Sequence, residues 1–163
     1  MGRIGILSGT FDPVHTGHIA VARAALSLLQ LDRVLLAPFG RPIIRRPEAD
    51  SQHRLRMLEM ACAGEAGIEA SQVDLVSTPR YAIDTVKAIA ARHPGQEIIY
   101  IVGADKLPDI PGWREARTLF ASCAFAVYPR AGYDAAGLTE DLRHQGARVT
   151  VLPCEEVNMS SSR

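Results

Sequence analysis

The chain predicts a doubly wound α/β fold, a parallel sheet with helices on both faces. Three observations lead there. Short apolar runs rich in Ile and Val recur at residues 4–7, 34–37, 98–102, 124–128 and 149–152, and they are continuous rather than alternating. Strands buried on both faces of a parallel sheet read this way. Helical patterns of spacing three and four lie between them, and strand, helix, strand repeated along a chain builds βαβ units. The size also fits one such sheet: 163 residues, 17.7 kDa and 47% hydrophobic residues supply one core and exclude disordered or low-complexity classes.

Each element has its own justification. The first strand ends before Pro13, and Ile19, Ala22, Leu26 and Leu29 then mark one helical stripe, in a helix expected to begin near Val14 or His15. Residues 51–63 carry Leu55, Leu58 and Cys62 on one face, with Asp50 or Ser51 as N-cap. Ile83, Val86 and Ala90 repeat along a third helix that stops at His93-Pro94-Gly95. Asp84 reads as an acid stabilised by that helix's dipole, and Tyr81 as packing. Trp113, the sole tryptophan, is expected to begin a helix containing Leu119 and Phe120. The irregular stretch 38–50, with Gly40, Pro42 and Pro47, reads as a long functional loop.

Charge and cysteine usage narrow the partners. Eighteen basic and eighteen acidic residues cancel, so no global field points to nucleic acid or an anionic membrane. Sixteen of the cations are Arg, the planar fork suited to phosphate. Residues 41–56 hold five Arg against two acids, net +3, a basic loop fitting a polyphosphate. No apolar run reaches the ~20 residues of a membrane span. Cys62, Cys123 and Cys154 lack CxxC spacing and read as buried thiols of a reducing compartment, so the expected location is the cytoplasm.

The chemistry concentrates after the first strand, in Gly9-Thr10-Phe11-Asp12-Pro13-Val14-His15-Thr16-Gly17-His18. A helix starting here points N–H groups and a partial positive charge at whatever lies above the sheet. Gly17 lets a phosphate approach the backbone. His15 and His18, three apart, make a donor cluster suited to an anion. No third ligand accompanies them, so no side-chain metal site is expected, and neither GxxxxGK[ST] nor GxGxxG occurs.

These ten residues resemble the [TS]F-[DN]-P-x-H-x-G-H signature of the nucleotidylyltransferases. The whole chain resembles the bacterial nicotinate-nucleotide adenylyltransferase family. Tyr81-Ala82-Ile83-Asp84-Thr85 is similar to its SYTIDT stretch, and Gly103-Ala104-Asp105 followed by Trp113 is similar to its GAD…W block. Pro129-Arg130-Ala131-Gly132-Tyr133 resembles PRPGY, and Met159-Ser160-Ser161-Ser162 resembles the start of ISSTxIR. The resemblance implies a Rossmann-like domain over residues 1–163 that joins AMP from ATP to nicotinate mononucleotide and releases pyrophosphate, with Mg²⁺ carried by the ATP phosphates. Nicotinamide mononucleotide or another phosphorylated acceptor is the alternative substrate. A nucleotide-binding regulator that has lost turnover is the alternative class.

The resemblance also implies roles. His15 and His18 donate to ATP phosphates. Thr10 and Phe11 line the place where the nucleotides meet, Gly9, Gly17 and Arg45 bind ATP phosphate, and Gly103 and Asp105 hold the ATP nucleoside. Arg130, Ser161 and Ser162 approach the triphosphate. Tyr81, Ala82 and Trp113 face the acceptor, Trp113 remaining open between base stacking and simple core. Backbone N–H groups near residues 81–83 would meet the nicotinate carboxylate. Three departures stand out. Gly40-Arg41-Pro42-Ile43-Ile44-Arg45 replaces G-x-P-[PW]-H-K, putting Arg45 at the family's Lys. Ala82 replaces a Thr, which should reduce the preference for nicotinate. The chain stops inside the last motif, so it is expected to lack a C-terminal helix that the natural product carries beyond Arg163.

Overall fold

The computed structural model describes residues 2–9, 16–38, 51–72 and 81–153. Six parallel strands form one sheet: β1 (Arg3–Gly9), β2 (Arg33–Pro38), β3 (Ile68–Ala70), β4 (Glu97–Gly103), β5 (Ala124–Tyr128) and β6 (Val149–Val151). Their order is β3-β2-β1-β4-β5-β6, with Ile6 of β1 between Leu35 of β2 and Tyr100 of β4. Five helices connect them: α1 (Thr16–Leu28), α2 (Ser51–Cys62), α3 (Ala82–Arg92), α4 (Ala116–Ser122) and α5 (Ala135–His144). The winding reverses between β1 and β4, so the crevice for a ligand lies beyond the carboxyl ends of those two strands.

Side-chain parity assigns the helices to faces. Ile4, Ile6, Leu35, Ala37, Tyr100 and Val102 turn to one face and pack with Ile83, Val86 and Ile89 of α3, Leu119 and Phe120 of α4, and Leu142 of α5. Leu7, Val34, Leu36, Ile99 and Ile101 turn to the other, against Ile19, Ala22 and Ala25 of α1 and Leu58 and Cys62 of α2. Each fully buried aliphatic side chain contributes about 1.5–3 kcal/mol. The sheet is therefore a wall between two dry layers, and its carboxyl edge is reached from both.

Several expectations need adjusting. α1 begins at Thr16, after His15. The buried stripe of α3 is Ile83, Val86 and Ile89, while Ala90 is exposed. Trp113 begins no helix: it closes a 3-10 turn over Ile110–Gly112, and α4 starts at Ala116. β3 and α5 carry no apolar run long enough to announce them. Gly40, Pro42, Pro47, Asp50 and Cys154 lie outside the described residues. No helix among those described is long and apolar enough to cross a membrane.

Burial holds both described thiols in their neutral form. The Cys62 thiol is pushed up to about 11 and that of Cys123 to about 12, in each case chiefly because the thiolate would lose its water. Alkylation of the native protein near pH 8, mapped by mass spectrometry, is expected to leave both unmodified. Rapid labelling of either would show that its layer opens.

Candidate active site

Two buried polar atoms mark the crevice. Among the described residues, Ser8 Oγ and Asp105 Oδ1 are sealed from water without a hydrogen-bond partner. Ser8 is the penultimate residue of β1, and Asp105 lies two residues beyond β4, so they flank the reversal of winding. Leaving such a group unpaired costs about 1–3 kcal/mol. Thr139 Oγ1 on α5 is sealed in the same way, so what singles out this pair is its place, a hydroxyl near the end of β1 and a carboxylate oxygen just past β4.

On the α1 face, His18 is the third residue of the helix and 9% exposed, with Gly17 beside it. Gly103, closing β4, is glycine for lack of space: a Cβ there would collide with Asp105 Oδ1 and stand 3.0 Å from Tyr128 Cε2 and Cζ. Asp105 begins its excursion in the 3-10 turn Ala104–Lys106. Arg130, two residues past β5, brings Nη1 to 3.9 Å from Asp105 Oδ1, both side chains about three-quarters buried. The Tyr128 hydroxyl lies within reach of the same guanidinium, and burial raises its pKa above the usual phenol value. Four sequence-predicted residues, His18, Gly103, Asp105 and Arg130, thus come from three strand ends that neighbour one another in the sheet.

The opposite face carries the other group. Tyr81 is the N-cap of α3, and it packs with Ala82 and Trp113 against the core layer of that face. Trp113 meets the Tyr100 ring edge-on, centroids 6.1 Å apart. Asp84 reaches back so that its Oδ2 accepts from the Tyr81 N–H at 2.9 Å. This confirms the first-turn acid and changes one expectation: the Tyr81 N–H is engaged by Asp84 and is not open to a ligand carboxylate.

Gly9 ends β1 as expected. Thr10, Phe11, His15, Arg41, Arg45, Arg46, Ser161 and Ser162 lie outside the described residues. Sequence reasoning passed over Ser8 and Tyr128, whose significance depends on parity and crowding. It also counted Arg54 with the basic loop, whereas this Arg, in the first turn of α2, is 1% exposed and belongs to the interior.

Known proteins are similar to this chain in sequence and in fold. The cytidylyltransferase-like family model matches residues 6–163. Two relatives named as probable nicotinate-nucleotide adenylyltransferases cover nearly the whole chain. That of Gloeobacter violaceus is 39% identical over 99% of this chain and 81% of its own length. That of Clavibacter michiganensis is 35% identical over 99% of this chain and 80% of its own. Among solved structures, Plasmodium falciparum nicotinic acid mononucleotide adenylyltransferase complexed with NaAD superimposes with a TM-score of 0.80, covering 97% of this chain and 78% of that one. At 18% identity that likeness speaks for the Rossmann-like fold. With a signature, a winding reversal and near-complete coverage in agreement, the chain belongs to the cytidylyltransferase-like family and, within it, to the nicotinate-nucleotide adenylyltransferases.

Proposed function

We infer that this chain is a nucleotidyltransferase of NAD biosynthesis that transfers AMP from ATP to nicotinate mononucleotide, giving nicotinate adenine dinucleotide and pyrophosphate. The observation that carries the reading is the division of the crevice by the sheet. His18 sits in the first turn of α1, Asp105 and Arg130 lie just past the ends of β4 and β5, and Tyr81, Ala82 and Trp113 pack on the α3 face. Two nucleotides entering from opposite faces meet above Gly9 and Gly103.

The reaction joins the acceptor's 5′-phosphate oxygen to the α-phosphorus of ATP as the bond to pyrophosphate breaks. It demands alignment and charge stabilisation more than covalent work. His18 and the N–H groups of the first turn of α1 donate to the ATP phosphates. Arg130 adds a guanidinium on the same side, joined in this reading by His15, Arg45, Ser161 and Ser162. Asp105 Oδ1 accepts from the nucleoside of ATP or from a metal-bound water, and Gly103 leaves room for it. Mg²⁺ would be carried by the triphosphate and would neutralise part of its charge. The Asp105 carboxylate, without a hydrogen bond at Oδ1 and 3.9 Å from Arg130, would suit that cargo. Trp113 and the Tyr81–Ala82 cap receive the pyridine base, while Thr10 and Phe11 close the junction.

The test is pyrophosphate release with ATP, Mg²⁺ and a panel of phosphorylated acceptors. Nicotinate mononucleotide is expected to give the highest kcat/KM, with the nicotinamide form several-fold lower. Equal values for the two would move the assignment to the alternative acceptor. ATP binding without pyrophosphate release from any acceptor would favour the regulator.

A further inference from the structure

We propose that the Arg114 guanidinium is the cation that selects an acidic over a neutral pyridine ring in the acceptor. The proposal rests on the functional reading above and names a residue that reading leaves out. Arg114 follows Trp113 directly, and its Cζ stands 4.7 Å from the centroid of the Tyr81 ring, over the cap of α3. The cation is therefore parked on the aromatic cap beside the base platform, a placement that orients it without consuming its hydrogen-bond donors.

Three further observations give this placement a purpose. First, Asp84 has already put a carboxylate on the Tyr81 N–H. Its charge offsets the partial positive end of α3, so the helix terminus alone offers a second carboxylate little attraction. Ala82 contributes no hydroxyl in the same turn. A separate cation is needed there if acid is to be preferred to amide.

Second, the chain is held to aim Arg114 this way. Glu115 adopts a left-handed conformation, φ 52° and ψ 43°, which costs a non-glycine residue about 1 kcal/mol or more. That turn reverses the path between Trp113 and α4. The Glu115 carboxylate stands 3.7 Å from Lys87, farther along α3.

Third, Arg114 is exposed and forms no ion pair among the described residues. A carboxylate on a ring bound beside the Tyr81 cap would carry the charge that a guanidinium fork pairs with bidentately. A carboxamide has no charge to offer it.

The experiment uses Trp113, the sole tryptophan, as reporter. Its fluorescence is titrated with nicotinate mononucleotide and with nicotinamide mononucleotide, and kcat/KM is measured for both. Arg114→Gln should bring the several-fold acid-to-amide ratio close to one through weaker binding of the acid, and Arg114→Lys should retain most of it. The kinetic loss should fall on KM for the acid and not on KM for ATP. An unchanged ratio in Arg114→Gln overturns the proposal, even if the wild type proves a good adenylyltransferase. So does a wild type that binds neither mononucleotide, or both equally. If the wild type discriminates in binding, loses discrimination as Arg114→Gln, and yet turns nothing over, the proposal stands and the enzymatic reading falls.

Discussion

Replacing His18 by alanine is expected to lower kcat about 100-fold while leaving the fold intact. The imidazole is positioned before any substrate arrives: it is the third residue of α1, buried to 9%, where the chain leaves β1 at the winding reversal. A donor fixed there need not reorganise as negative charge builds on the phosphate oxygens, which is why one such group is worth about 3 kcal/mol in the transition state. The scaffold should tolerate the change, because Ile19, Ala22 and Ala25 hold α1 to the sheet without it. Removing a ring at the helix end costs about 1 kcal/mol, a modest fall in Tm. Pyrophosphate release and a thermal melt on one sample separate the two effects. His18→Gln keeps an N–H donor and should recover part of kcat. Wild-type turnover in His18→Ala would remove the imidazole from the mechanism, and partial recovery in the glutamine variant would assign it to hydrogen bonding rather than proton transfer.

That His18 could be singled out from sequence reflects where sequence patterns are most direct. A strand whose faces are both buried is apolar throughout, so β1, β2, β4 and β5 are legible within one or two residues. β3 is three residues long with Ile68 alone buried in it, and edge strands of that length leave no run to read. α5 is polar over most of its length and is fixed by Asp134, whose side chain accepts from the Gly137 N–H, and by Leu142 in the core. The strand-to-helix switch likewise made Gly17 legible and set Arg130, after a strand, at the carboxyl edge, while Gly103 and Asp105 were legible through their resemblance to the family's GAD block. Arg114 and Ser8 were hidden for a different reason. One depends on a single left-handed residue, Glu115, and the other on which face an even-numbered residue of β1 takes. Neither is a property of local composition. Arg54 shows the converse: counted by charge it joins a basic loop, yet the fold withdraws it into the interior.

Gly103→Ala is expected to raise the KM for ATP about tenfold or more and to lower Tm, with kcat at saturating ATP much less affected. The backbone does not demand glycine here, since φ −78° and ψ 155° are open to any residue. What forbids a side chain is crowding. The new methyl would stand 3.0 Å from two carbons of the Tyr128 ring and would overlap the Asp105 carboxylate. The ring, on the last residue of β5, is 6% exposed and packed into the α1-face layer, so the flexible Asp105 carboxylate is the group that gives way. Overpacking of this kind costs about 1–3 kcal/mol in stability. The displaced carboxylate also leaves the 3.9 Å approach to Arg130, so both groups that face ATP from this edge are disturbed together. Gly112→Ala is the control, because nothing lies within 4 Å of its added methyl and its φ is not positive. Should Asp105 transmit the effect, the double variant Gly103→Ala, Asp105→Ala will bind ATP no worse than Asp105→Ala alone, the non-additivity expected of two residues acting at one point. A wild-type KM in Gly103→Ala would mean that Asp105 takes no part in holding ATP, and the acceptor for the nucleoside would have to be sought elsewhere along the strand ends.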